Sequence, residues 1–231
     1  MIGKEVFSNF KGDIVYTAIF GDVSDKLRIR PKQSADVAFF SFLDEKRLRK
    51  YKFFNISKWK VYEAQFKNEN LRRQARAHKV LAHKVFNNCR YSLWIDGCLK
   101  LVDRNVNGIM EKHLKNADIC VFKHRRRNCI YEEVNACIEQ KKDDKSTMIN
   151  QVTKYLEEGY PANNGLAETT ALLRRHNKAT AEFNEMWWEE IKKGSLRDQL
   201  SFNYTAWKLG INYDIFPGNS ISNPYFKWFR H

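Results

Sequence analysis

Asp96 stands directly after the run Tyr91-Ser92-Leu93-Trp94-Ile95 and directly before Gly97. An acid that ends a short apolar, β-rich run is held by a rigid element and aimed past the edge of a sheet. There it can bind a divalent cation, and the glycine behind it lets a ligand approach the backbone. The same two residues also make an ordinary strand-ending Asp-Gly turn. Upstream, Arg72, Arg76, Lys79 and His83 recur four, three and four residues apart, a helical spacing that forms a cationic stripe. Such a stripe can neutralise a diphosphate or simply face water; Arg76 and Lys79, central in it, are the phosphate candidates.

Three further groups invite chemistry. His124 and the run Arg125-Arg126-Arg127 begin where another short apolar segment ends, a place suited to a phosphate or an acidic acceptor. Glu132 and Glu133 follow at the start of a helical pattern. Proximity to the positive end of the helix dipole explains them, and a general base or metal ligand is the alternative. Ser195 and Asp198 have the spacing of a capping box, yet a helix N-terminus also meets anionic substrates, so Asp198 and Gln199 are candidates for sugar hydroxyls.

These groups need a scaffold. Asp13 to Phe20 and Val37 to Leu43 read as buried strands, the first ended by Gly21-Asp22 and the second by Asp44-Glu45. Glu69 to Phe86 reads as a helix with Leu71, Ala75, His78, Ala82 and Val85 on one face. Tyr91 to Ile95 and Ala117 to Phe122 read as strands. Helices follow around Tyr131 to Ile138 and Ile149 to Leu156, then a strand from Thr169 to Leu173. Two more helices, one with Phe183, Met186, Trp187 and Ile191 aligned and one from Leu196 to Trp207, end at Gly210, and a last strand lies near Tyr213 to Phe216. Strands alternating with helices predict an α/β fold with a mostly parallel sheet flanked by helices. Neither repeats nor linkers divide the 231 residues, which predicts one domain over 1–231 with a basic-aromatic tail at about 219–231.

Composition sets outer bounds. With 43% hydrophobic residues the chain can fill a core, and its net charge of +14 attracts polyanions: nucleic acid, nucleotide phosphates or an anionic membrane surface. The five cysteines lack a C-x-x-C pair, so zinc and a disulfide framework are poorly supported and buried thiols in a reducing compartment are expected. No apolar leader or membrane-length segment is visible, and a cytoplasmic protein, peripheral to the membrane at most, is the expectation.

Several segments in order resemble one family. Arg72 to Gly97, FKHRRRNCIYEE (122–133), QVTKYLEEG (151–159), GLAETTALLRRHN (165–177) and MWWEEIKKGSLRDQLSF (186–202) are similar to the glycosyltransferase-like domain catalogued as domain-of-unknown-function family 616. That domain occurs in plant mucilage and cell-wall proteins and in bacterial polysaccharide clusters, and the similarity runs over roughly residues 13 to 220. It implies a single-domain, Rossmann-like GT-A fold that moves a sugar from a nucleotide-sugar donor to a polysaccharide, saccharide or lipid-linked acceptor, with no specific nucleic acid. It implies that Asp96 belongs to a D-x-D-type motif holding Mn²⁺ or Mg²⁺ against the diphosphate. Arg76, Lys79, Gly97 and the end of the first strand, Thr17 and Ala18 through Gly21, then face the nucleotide. His124, Glu132, Arg197 and Gln199 become acceptor or sugar contacts, with Asp198 beside the catalytic centre. Cys98 stands where a second D-x-D carboxylate belongs. Glu132, Asp198 or the terminal His231 is therefore expected to complete the metal site.

Two rivals come from other classes. Asp96 with Glu139-Gln140-Lys141 mimics the D…E-x-K set of metal-dependent nucleases, although Glu139 to Lys141 ends a helical pattern. Alternatively the chain is a non-catalytic binder of nucleic acid or anionic membrane, acting through the arginine run and the aromatic-basic tail NPYFKWFRH.

Overall fold

The computed structural model describes residue 7, residues 10–21 and residues 24–229. Seven strands form one sheet in the order β3-β2-β1-β4-β7-β6-β8. They are β1 (Asp13–Ile19), β2 (Val37–Leu43), β3 (Lys60–Glu63), β4 (Tyr91–Ile95), β6 (Ile119–Lys123), β7 (Ala167–Arg175) and β8 (Asp214–Ile215). The pairs β3-β2, β2-β1, β1-β4 and β6-β8 run parallel, and β7 alone is reversed, antiparallel to β4 and to β6. The sheet is thus mostly parallel. Two short strands, β5 (Leu99–Leu101) and β9 (Phe226–Trp228), pair separately.

Every residue of β1, β2 and β4 is buried, as strands covered on both faces require. Alternate side chains feed two cores. Val15, Ile19, Leu93 and Ile95 pack with Leu48 of helix α1 (Glu45–Phe53) and with Ile109 and Met110 of α4 (Val106–His113). Ile14, Tyr16 and Trp94 pack on the other face. There they meet Val80 of α2 (Leu71–Val80), Ala82 of α3 (Ala82–Val85), Phe183 and Trp187 of α7 (Lys178–Lys193), and Phe202 of α8 (Gln199–Lys208). A third cluster joins α5 (Ile130–Glu139) and α6 (Lys145–Glu157) to α8 through Val134, Met148, Tyr155 and Tyr204.

The single helix expected over 69–86 is two. α2 and α3 meet at Leu81, whose φ of −90° and ψ of 33° leave the helical region. Arg174, fully buried on β7, sits under the break. Its guanidinium donates to the carbonyls of Val80 (2.9 Å) and Lys79 (2.6 Å), and Tyr16 Oη donates to the Lys79 carbonyl as well (2.9 Å). Cations at a helix C-terminus are favourable, so this arginine fixes the end of α2 and, with it, the backbone of Lys79.

The segment from Asn219 to Phe229 is part of the domain rather than a free tail. Tyr225 and Phe226 are buried against Phe216, Phe229 lies 4.1 Å beneath the Arg28 guanidinium, and β9 is paired. Tyr225 and Phe226 are thus taken up by packing, while Trp228 and Phe229 stay half-buried. Gly210 has a φ of +63° one residue past the C-cap of α8, the conformation in which glycine ends helices.

Candidate active site

Asp96 follows β4 at the carboxyl ends of the parallel strands, where α/β sheets bind ligands. It opens on a cleft of about 320 Å³. Three elements supply the neighbouring wall: Arg76 and Lys79 from α2, Thr169 from β7, and Asp198 from the N-terminus of α8. Lys79 Nζ donates to Asp198 Oδ2 (2.6 Å) and to Thr169 Oγ1 (2.9 Å), and it lies 3.8 Å from Asp96 Oδ1. Thr169 donates in turn to Asp198 Oδ2 (3.0 Å), and Arg76 Nε stands 3.4 Å from Asp198 Oδ1. Two cations and two carboxylates share the floor of the cleft, so the charges compensate inside the protein.

The environment sets the protonation states. Burial pushes the Asp198 carboxyl up, but Arg76 and Lys79 outweigh it and hold the group well below the usual carboxylate range. For Arg76, burial works against the charge, and Asp198 and Asp96 more than restore it, so its pKa is raised.

Local sequence explains how these groups meet. Between β6 and β7 the register jumps: Val121 pairs with Leu172 but Phe122 pairs with Glu168, leaving Thr169, Thr170 and Ala171 without partners on β6. This bulge, a device common beside active sites, frees the Thr169 hydroxyl for Lys79 and Asp198 and lets the Thr170 carbonyl accept from Asp96 N (2.8 Å). Trp94 Nε1 donates to Asp96 Oδ1 (2.6 Å), which fixes the carboxylate. The expected capping box does not form. Ser195 Oγ bonds Asp143 (2.6 Å), and Asp198, the N-cap of α8, makes no side-chain cap bond because its carboxylate faces Lys79.

The rest of the lining includes His124, the arginine run, Glu133, Lys142, Arg197 and Gln199. Arg197 donates to Gln199 Oε1 (2.8 Å). His124 Nδ1 accepts from Arg127 N (3.1 Å), and its Nε2 lies 3.7 Å from Glu133. Burial lowers its pKa, the Glu133 carboxylate opposing, so the ring is neutral with hydrogen on Nε2.

Of the residues singled out in the sequence, the cleft therefore gathers Arg76, Lys79, Asp96, His124, Arg197, Asp198 and Gln199. Others fall elsewhere. Glu132 is exposed and outside the lining, and its neighbour Glu133 turns inward to Arg127 and Cys137, because consecutive helical residues point about 100° apart. Thr17 and Ala18 are buried within β1, one facing each core, and do not line the cleft. Gly97 is buried, and Arg72 and His83 leave the stripe: Arg72 bonds the Lys142 carbonyl and His83 bonds Glu185. Cys98 packs in the core with its thiol pushed up by burial, so it adds no ligand to Asp96. His231, and Asp22 after the first strand, lie outside the described residues. The nuclease set is not assembled: Glu139 ends α5 and is exposed, as is Lys141 in the turn beyond.

Sequence reasoning passed over Thr169, Glu168 and Lys142. The polar Glu-Thr-Thr at the head of an otherwise apolar strand was the available signal. It also passed over Asp25. A Cβ on Gly97 would lie 2.6 Å from Asp25 Cβ and 2.9 Å from its Oδ2, so the absence of a side chain at 97 lets a second acid pack against the backbone one residue after Asp96. The trio His113, Cys120 and Asp214, which also brings ligand types together, is structural: both His113 nitrogens are bonded, to Asp214 (2.8 Å) and Tyr225 (3.1 Å), and Cys120 is fully buried.

An α/β sheet of this build, with an acid and paired cations at its strand ends, has the fold of glycosyltransferases. The WbbM bifunctional glycosyltransferase superposes with a TM-score of 0.53 at 10% identity, over 90% of this chain and 39% of that one. Mouse xyloside xylosyltransferase 1 gives 0.50 at 10% identity, over 88% and 84%. The chain belongs to the TOD1/MUCI70, glycosyltransferase-like domain family, which it matches over residues 4–225. It is 30% identical over 214 residues to the probable hexosyltransferase MUCI70 of Arabidopsis thaliana, covering 84% of this chain and 37% of that protein. It is 26% identical over 227 residues to the alkaline ceramidase TOD1 of the same plant, covering 84% and 48%. The chain thus spans between a third and a half of the length of these curated relatives.

Proposed function

We propose that this domain transfers a glycosyl group from a nucleotide-sugar donor to a saccharide or lipid-linked saccharide acceptor, assisted by Mn²⁺ or Mg²⁺. The observation that carries the reading is the position of Asp96, beyond β4 and 3.8 Å from Lys79, in a cleft whose cations are already oriented by a buried carboxylate. Glycosyl transfer develops negative charge on a leaving diphosphate. Fixed cations in a site shielded from water stabilise that charge without reorganising.

The donor set suits a hard divalent ion, which takes oxygen ligands. Asp96, and Asp25 packed on Gly97, would hold it. The ion would act as a Lewis acid toward the diphosphate. Lys79 and Arg76 supply the protein's own positive charge, and Asp198 is a positioning residue that keeps both aimed. A hollow of about 680 Å³ at the carboxyl ends of β2 and β3 flanks the other side of α2, through Gln74, and is our placement for the donor's nucleoside. Among the cleft carboxylates, Glu133 is tied to Arg127 and Asp198 to Lys79. Glu168 meets Arg125 only at 4.0 Å, which leaves it able to take a proton from an acceptor hydroxyl. The five buried, unpaired thiols support a reducing, cytoplasmic setting.

A hydrolytic role gains nothing from the geometry. One serine–histidine contact, Ser92 Oγ to His176 Nε2 at 2.8 Å, places a fully buried serine inside β4, away from the cleft.

The test is thermal-shift screening with nucleoside diphosphates, with and without Mn²⁺, beside a duplex DNA control. Metal-dependent stabilisation by at least one nucleoside diphosphate is expected, and Asp96→Ala should abolish it. Stabilisation by DNA alone would replace this reading with that of a nucleic-acid binder.

A further inference from the structure

We infer that the turn following α1 docks the domain on an anionic lipid surface. Phe53, Phe54 and Ile56 are 80%, 66% and 71% exposed, the three most exposed large hydrophobic side chains among the described residues, and they are neighbours in the chain. The two rings touch edge to face, 4.7 Å between centroids, so they form one apolar tip.

The turn is built to hold that tip outward. Ser57 and Trp59, on either side of exposed Lys58, are buried. Trp59 meets Phe39 edge-on at 5.2 Å and donates from Nε1 to the Arg28 carbonyl (2.8 Å). Arg30 N donates to the Ser57 carbonyl (3.2 Å) and Arg30 Nε to the Lys58 carbonyl (2.8 Å). Phe54 N closes the helix on the Lys50 carbonyl (2.9 Å), and Asn55 Nδ2 donates to the Trp59 carbonyl (2.5 Å). The polar groups of the turn are bonded to the domain, while its largest apolar groups are not packed into it.

Charge identifies the occupant. Lys50, Lys52, Lys58 and Lys60 are all exposed around the tip, and none is ion-paired with a described carboxylate. The acids of the segment, Asp44 and Glu45, are paired with Arg47 and Arg49. Apolar side chains that insert, ringed by unpaired cations that meet headgroups, match the chemistry of an anionic bilayer surface. No helix among the described residues is long and apolar enough to cross a membrane. Topology sets the orientation. α1 leaves the carboxyl end of β2 and β3 starts parallel to it, so the turn lies at the amino-end side of the sheet, opposite the cleft.

Vesicle co-sedimentation tests this with the full chain, using phosphatidylcholine alone and phosphatidylcholine mixed with phosphatidylserine. The chain is expected to sediment with the anionic vesicles and not with the neutral ones. Phe53→Ser with Phe54→Ser should weaken that binding about tenfold or more, and Lys50→Glu with Lys52→Glu should also weaken it, both with unchanged melting temperatures. Failure of the wild-type chain to bind anionic vesicles, or equal binding by the aromatic variant, would overturn the inference. So would concentration-dependent self-association in size-exclusion chromatography that only the aromatic variant loses while vesicle binding stays intact, since the tip would then serve a second copy of the chain.

Discussion

Lys79 Nζ stands 2.6 Å from Asp198 Oδ2, with 1% and 3% of the two side chains exposed. A pair so fully removed from water is held together by the cost of separating it. Breaking such a pair by removing one partner costs about 3–5 kcal/mol, because the survivor is left charged and buried. Asp198→Asn is therefore expected to destabilise the domain by that order, and Lys79→Met similarly. The double variant should lose distinctly less than the sum, read as a coupling energy in a urea-unfolding cycle. Additive losses would mean that the pair is not coupled, and that Arg76 alone balances Asp198.

His78 makes stability depend on pH. Its Nε2 accepts from Gln65 N (2.8 Å) and Phe66 N (3.3 Å), while Nδ1–H donates to the Gln74 carbonyl (2.8 Å), so the folded ring is neutral. Burial lowers its pKa to about 4, against the opposing pull of the Gln74 carbonyl. The unfolded chain takes up the proton near pH 6.5 and the folded chain only near pH 4, so stability is full above about 6.5 and falls between those values. The loss from this group is at most about 3 kcal/mol at 1.36 kcal/mol per pKa unit. Unfolding free energies measured from pH 7 to 4.5 should fall in the wild type and fall less steeply in His78→Gln. An unchanged slope in the variant would shift the effect to His176, which burial lowers to about 3.

Glu132 and Glu133 separate two roles that adjacent identical residues can hide. Glu133 is buried between Arg127 and Cys137, whereas Glu132 faces water. Glu133→Gln should lower both the melting temperature and transferase activity, since it loosens Arg127 and the His124 loop together. Glu132→Gln should stay within about 0.5 kcal/mol of wild type, as exposed substitutions do. Equal effects of the two substitutions would show that the helix face has been assigned wrongly.

Much of this arrangement was legible in the residues themselves. The limits of β2 and β4 follow from apolar runs interrupted only by Ser41 and Ser92, and Asp96 from its place after one of them. Asp198 was visible as a candidate but not separable from a helix cap, because spacing cannot show that Ser195 is diverted to Asp143. The break at Leu81 was hidden for a related reason: the residue that causes it, Arg174, lies on a strand about ninety positions away. The reversal of β7 leaves no local trace, since parallel and antiparallel buried strands read alike. The burial of Tyr225 and Phe226 was not legible, because composition alone does not distinguish aromatics in a core from Phe53 and Phe54 outside it.

Gly97 offers the sharpest test of the metal reading. An alanine there would put its Cβ 2.6 Å from Asp25 Cβ, closer than real side chains approach, so Asp25 must shift from its place against residue 97. The glycine's backbone needs no left-handed conformation, as it is absent from the positive-φ glycines. The substitution therefore acts through crowding rather than backbone strain. Gly97→Ala is expected to leave the domain folded but to cut Mn²⁺-dependent stabilisation by nucleoside diphosphates several-fold, and Asp25→Ala should do the same without any clash. If both variants kept the full metal response while Asp96→Ala lost it, Asp25 would be removed from the site and Asp96 would hold the ion without it.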